Sequence, residues 1–226
     1  MKKTLLFLVS ALFLIAGIYL YRIRCLESWN PGNPPPQVVI DIGHGGNDPG
    51  KVGINNALEK DINLAVGLYL KEYLSASGYS VLLTRETDTS LAEPDASNQK
   101  MSDFKNRTAL INQWGPSAVI SIHQNSYPQE SVHGAQVFHS SSTESKLLAN
   151  YIQSQCQRIL DSDNTRQPKE NRDYYLFRHT TCPIVIVECG FLSNYKEANL
   201  LITENYQRQV AWAIHMGTVQ FLKSLE

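Results

Sequence analysis

A chain of 226 residues, 42% apolar and 18% charged, is long enough for one sizeable core and too apolar for a disordered or fibrous protein. The formal net charge is −1, but the first 26 residues hold four of the 20 Lys and Arg and none of the 21 Asp and Glu. The remaining 16 basic and 21 acidic residues carry −5, which excludes a general nucleic-acid binder, since that needs a basic face.

The chain opens with Lys2 and Lys3, then an uncharged run from Thr4 to Tyr21, then Arg22 and Arg24. Eighteen residues at about 1.5 Å each make roughly 27 Å of helix, near the thickness of a hydrocarbon core. Residues 1–26 therefore read as an N-terminal hydrophobic anchor that reaches the membrane through residues 4–21, with a cleaved signal as the alternative. Ile23 and Arg24 before Cys25 make a poor lipid-attachment box. Residues 27–37, "ESWNPGNPPPQ", read as a stiff proline-rich tether. The domain proper is expected over 38–226.

Within it, four β-branched apolar runs predict strands: "VVIDI" (38–42), "SVLLT" (80–84), "AVISI" (118–122) and "IVIVE" (184–188), with "AQVFHS" (135–140) as a fifth. Their near-continuous hydrophobicity suggests a sheet covered on both faces. From Leu58, apolar residues recur at Ile62, Ala65, Val66, Tyr69, Leu70 and Tyr73, one face of a helix that Gly78 ends. Similar faces run from Leu147 to Ile159 and from Val210 to Phe221, and Asn194 three residues before Glu197 suggests a capping box. Alternating strands and helices predict a single α/β domain with a largely parallel central sheet flanked by helices.

Loops at the C-terminal edge of such a sheet build its site. The first strand is followed by His44, the second by Arg85 and the third by His123 and Asn125; the last ends in Glu188. Glu59, near the start of the following helix, can face the same edge. The glycine loop around His44, "GHGGNDPGKVG", is not a phosphate cradle: it lacks G-x-G-x-x-G and any Gly-Lys-Ser/Thr, and Asp41 and Asp48 would repel phosphate. Two imidazoles and a carboxylate suit a metal, yet they lack compact spacing. On the residues alone, a solvated turn histidine with a salt-bridging Glu59 competes evenly with a metal site.

Four cysteines outside the cytoplasm raise the question of disulfides. Cys182 and Cys189 in one extended run would stand about 23 Å apart, beyond bridging reach. Cys156 falls on a helix's apolar side and Cys25 beside the membrane segment, so no disulfide framework follows.

Together "VVIDIGHGG", "LEKDINL" (58–64), "SIHQN" (121–125) and "VECGFLSN" (187–194), in this order from about Val38 to the C-terminus, resemble the zinc-dependent N-acetylmuramoyl-L-alanine amidases. The resemblance implies one Zn2+ per chain held by His44, Glu59 and His123, with Glu188 as catalytic acid/base. It implies hydrolysis of the amide between the lactyl group of N-acetylmuramic acid and L-alanine in peptidoglycan. Arg85 in "TRETD" (84–88), Arg107 and Arg178 become structural or substrate-facing groups, and Asn125 either orients substrate or braces the His123 loop. A hydrophobic N-terminus before a bare catalytic domain is most similar to the spore-cortex, germination-type members. That implies an extracytoplasmic enzyme on the route to muramic-δ-lactam, working with a muramic acid deacetylase and with an accessory activating protein as a further partner. A catalytically silent wall-binding scaffold is the alternative from another class, though no expected ligand is missing.

Overall fold

A computed structural model describes residues 37–225, so the anchor expected over residues 1–26 and the tether expected over 27–37 lie outside the described residues, except for Gln37, which already pairs with Ser80 as the first residue of the opening strand. Among the described residues no helix is long and apolar enough to cross a membrane. Six strands form one sheet: β1 (Gln37–Ile42), β2 (Ser80–Leu83), β3 (Ala118–Asn125), β4 (Gln136–His139), β5 (Lys169–Glu170) and β6 (Ile184–Phe191). Their order is β2-β1-β3-β6-β4-β5. All neighbours run parallel except β4, which is antiparallel to β6. The domain is α/β with a mostly parallel central sheet flanked by helices.

The helices are α1 (Glu59–Ala76), α2 (Gln99–Trp114), α3 (Thr143–Ile159), α4 (Tyr175–His179), α5 (Tyr195–Leu201) and α6 (Glu204–Lys223). Strand periodicity assigns them to two layers. Val38, Ile40 and Ile42 join the core shared with Ile62, Val66 and Leu70 of α1, Leu148 and Ile152 of α3, and Ile214 and Phe221 of α6. Val39 points the other way, with Val119, Ile184 and Ile186, onto Ile111 of α2 and Leu176 and Phe177 of α4. Burial on both faces explains why these strands carry almost no polar residues, and each fully buried Ile or Leu contributes about 1.5–3 kcal/mol.

Two strands run further than their apolar cores: β3 continues to Asn125 and β6 to Phe191. Glu188 consequently lies inside β6, opposite His123 in register, and not at the strand's end. Gly78, at φ 87°, does lie just past α1. The expected capping box at α5 is only half formed. Asn194 Oδ1 accepts the Glu197 N–H at 2.9 Å, but the Glu197 carboxylate turns away to accept the N–H groups of Phe191 (2.8 Å) and Gly134 (3.0 Å). That acid joins the end of β6 to the segment entering β4.

Candidate metal centre

Where β1 ends, the Gly43 N–H donates to Ile122 O at 3.1 Å, so the chain stays tied to β3 as it leaves the sheet. His44 follows in the left-handed region, at φ 61°, uncommon for any residue but glycine. Two buried arginines hold it there. Arg107 donates to Ile42 O (2.5 Å) and His44 O (2.7 Å), and Arg85 donates to Ile42 O (3.2 Å) and Gly43 O (3.1 Å). Arg107 is itself charge-balanced by Asp41 (3.0 Å) and Asp103 (2.6 Å). Burial alone would raise the Asp41 pKa, but Arg107 and the Ser121 hydroxyl outweigh it and hold the carboxyl below its usual range. Both guanidinium groups thus face backbone carbonyls: they build the loop.

The loop aims His44 at α1 and β3. His44 Nε2 lies 3.2 Å and His123 Nδ1 3.0 Å from the same atom, Glu59 Oε1, and the rings meet edge to face with centroids 5.0 Å apart. One ligand atom from each of His44, Glu59 and His123 lies within 4.8 Å of the others. Glu59, the first residue of α1, also accepts the N–H groups of Lys51 (2.7 Å, on Oε2) and Gln124 (3.0 Å, on Oε1). Burial pushes its pKa up, yet the hydrogen bonds and charges of His123 and His44 hold the carboxyl far below the ordinary range. Burial pushes His44 down, and Glu59 and Asp48 more than offset that, leaving it raised.

The glycines clear this space. A Cβ on Gly43 would overlap the His123 ring, and one on Gly50, at φ 66°, would sit 2.6 Å from Glu59 Oε2 and 2.7 Å from His44 Cδ2. The donor set fits a zinc ion: two imidazole nitrogens and a carboxylate oxygen converge, leaving room for a further ligand. His44 Nδ1 is engaged by Asp48 Oδ2 at 2.8 Å, the carboxylate–histidine arrangement that orients metal-binding imidazoles.

Beside the three groups opens a cavity of about 230 Å³ into which His44, His123 and Glu188 face, with Phe104, Tyr174 and Tyr175 among its other walls. The Glu188 side chain is only half-buried as a whole, but its Oε2 is sealed from solvent and has no hydrogen-bond partner. Burial, reinforced by the Glu59 charge against the opposing His123 and His44, pushes its pKa up to about 7.

The other expected residues divide. Asn125 Oδ1 accepts the Ser126 N–H at 2.7 Å and its carbonyl accepts the Leu192 N–H at 2.8 Å, so it braces the turn after β3. Arg178 is exposed on α4 and is not among the residues lining the cavity. Sequence reasoning missed Asp48 as the partner of His44, although its spacing of four residues within a glycine loop is a readable signal. It also missed the aromatic wall, for which the sequence holds no comparable sign. Cys156, Cys182 and Cys189 are free thiols.

A mostly parallel-sheet α/β domain that gathers two imidazoles and an acid at one edge of its sheet, with a second acid beside them, has the architecture of a metal-site protein. The family profile described as N-acetylmuramoyl-L-alanine amidase matches residues 38–219, and the chain belongs to that family, as the four sequence motifs led one to expect. It is 37% identical over 226 residues to the germination-specific N-acetylmuramoyl-L-alanine amidase of Bacillus subtilis (strain 168), covering 97% of this chain and 94% of that one. The CwlD amidase of Clostridioides difficile, solved in complex with the GerS lipoprotein, is 39% identical. It superposes with a TM-score of 0.81 over 84% of this chain and 99% of its own. An N-acetylmuramoyl-L-alanine amidase of Clostridium difficile 630 follows at 29% identity and a TM-score of 0.76, over 86% of this chain and 100% of that one.

Proposed function

We propose that this chain is a zinc hydrolase cleaving the amide between N-acetylmuramic acid and L-alanine in peptidoglycan, acting on spore cortex during its maturation to muramic-δ-lactam and in germination. The observation that carries the chemistry is the convergence of His44, Glu59 and His123 within 4.8 Å beside a sealed, unpartnered Glu188 oxygen. Family membership supports the bond cleaved, and the likeness to a germination-specific relative supports the setting. His44, Glu59 and His123 would hold the ion, with Asp48 fixing the His44 ring. A bound zinc supplies Lewis acidity and water activated near neutral pH. Glu188 would take a proton from the attacking water and return one to the alanine nitrogen as the C–N bond breaks. Residues 1–26 would keep the enzyme at the outer face of the cytoplasmic membrane, with residues 27–37 as a tether whose last residue already enters β1 and 38–226 as the catalytic domain. A lipoprotein partner of the kind bound by the Clostridioides difficile amidase supports the idea of an accessory protein, and a muramic acid deacetylase would take up the stripped sugar.

The test is mass spectrometry of defined muropeptides incubated with the zinc-loaded chain and with Glu188→Gln. Release of the intact peptide with a free N-terminal alanine, abolished by Glu188→Gln, is the expected outcome. A cut between two amino acids of the peptide would overturn the assignment.

A further inference from the structure

The cavity beside the candidate centre has one side made almost wholly of aromatic rings, and nothing in the chemistry above uses it. Phe104 of α2 and Tyr175 of α4 stack with centroids 5.5 Å apart and planes 20° from parallel. Tyr175 in turn stacks on His179 at 4.0 Å and 16°. Tyr174 packs edge to face on Phe138 at 5.8 Å and against Phe177 at 5.5 Å. The wall is preformed. Asn112 of α2 donates to His179 O at 2.7 Å and accepts the Thr181 N–H at 3.2 Å, while Asn171 Oδ1 accepts the Tyr174 N–H at 3.0 Å. Two elements that pack on the same face of the sheet are thereby clamped into one surface facing Glu188 and the two histidines.

The amidase reading, on which this inference rests, offers two arms of substrate for that surface. The peptide arm beyond alanine carries carboxylates. None of the residues lining this cavity is a lysine or arginine, so beyond the ion held by His44, Glu59 and His123 the arm would find no cationic side chain to pair with its carboxylates. Lys100, 6.0 Å from the Phe104 centroid, lines a separate cavity with Asp48 and Asp103. The sugar arm presents C–H faces and methyl groups, which suit aromatic rings and an apolar cavity whose few polar groups fix orientation. We propose that Phe104, Tyr174 and Tyr175 form the subsite for the muramoyl pyranose ring, and that this wall makes the enzyme select glycan-borne peptides over sugar-free lactyl peptides.

The experiment compares kcat/KM of the full-length chain for a disaccharide-peptide and for the same peptide bearing only a lactyl group. Tyr175→Ala is expected to lower the ratio of the two about tenfold, and Tyr175→Phe, which keeps the ring, to restore it. Phe104→Leu, a milder change should Tyr175→Ala fail to fold, is expected to lower the ratio in the same direction. An unchanged ratio in the folded variants would overturn the assignment. Wild type cleaving neither substrate, whether alone or with an added lipoprotein partner of the kind proposed above, would instead reject the amidase reading. The wall is then judged by saturation transfer from the protein's aromatic protons to a peptide-free disaccharide: transfer to the pyranose ring protons that Tyr175→Ala removes supports it, and no transfer overturns it.

Discussion

Glu59 and Glu188 stand within one small region, the first on the opening turn of α1 and the second in the middle of β6, yet their surroundings differ in kind. Glu59 is met by two backbone N–H groups and two imidazoles, and its carboxyl is held far below the ordinary range. Glu188 has an oxygen that nothing reaches, and burial lifts its pKa to about 7. Two carboxylates whose environments push their proton affinities apart divide naturally into a fixed charge and a proton carrier. The difference comes from the backbone: the loop at Lys51 and the strand β3 at Gln124 supply donors to Glu59, whereas the neighbours of Glu188 in a strand interior spend their N–H groups on the sheet.

Two substitutions test this division most severely. His123→Ala is expected to strip the chain of zinc on dialysis and reduce turnover to background, read by elemental analysis and muropeptide hydrolysis. Glu188→Gln keeps the shape of the side chain, so it should retain the metal while turnover falls about 10²- to 10⁴-fold. Equal zinc loss in both would erase the distinction between ligand and proton carrier.

Next in size comes the loop that carries His44. Arg107→Ala leaves Asp41 buried without its cation, which costs about 3–5 kcal/mol, and thermal unfolding followed by circular dichroism should fall by roughly 10 °C. Asp48→Asn keeps an oxygen to accept the Gly50 N–H and chiefly alters the orientation of the imidazole. Its side chain is 43% exposed, so the fold should hold while zinc affinity, measured against a competing chelator, weakens about 10- to 100-fold. A full-strength zinc site in Asp48→Asn would show that the loop backbone alone orients His44.

The contrast between loop and wall also explains what the sequence reveals. His44, His123 and Glu188 are legible because each follows or lies in a continuous apolar run whose end is a fixed place at the sheet edge, and Glu59 because it opens the amphipathic helix that follows the first of those runs. The aromatic wall is hidden because its elements carry no such pattern. Among the residues of α2 only Arg107, Thr108 and Ile111 are buried, too few for an apolar stripe, and α4 is five residues long. The direction of β4 is equally invisible: an antiparallel strand buried between β6 and β5 has the same composition as a parallel one. Arg107 is legible as a charge, but its role depends on meeting Asp41, which lies 66 positions away.

The smallest effect separates the loop's scaffold from its chemistry. Asp41 has a carboxyl pKa below the usual 3.8 because Arg107 and Ser121 overcome its burial. The unfolded chain therefore takes up a proton at a higher pH than the folded one does. The stability from this carboxylate is whole above about pH 4 and is lost as pH falls through the folded-state value. Urea unfolding midpoints should accordingly be flat with respect to Asp41 from pH 7 to 5 and drop below pH 4. Asp41→Asn keeps a hydrogen-bonding group against Arg107 and Ser121 but cannot titrate, so its midpoint should start lower at pH 7 and decline less steeply in acid. If wild type and Asp41→Asn lose stability in parallel below pH 4, the acid sensitivity belongs to Glu59 and its imidazoles, and the pair beneath the loop is a passive support.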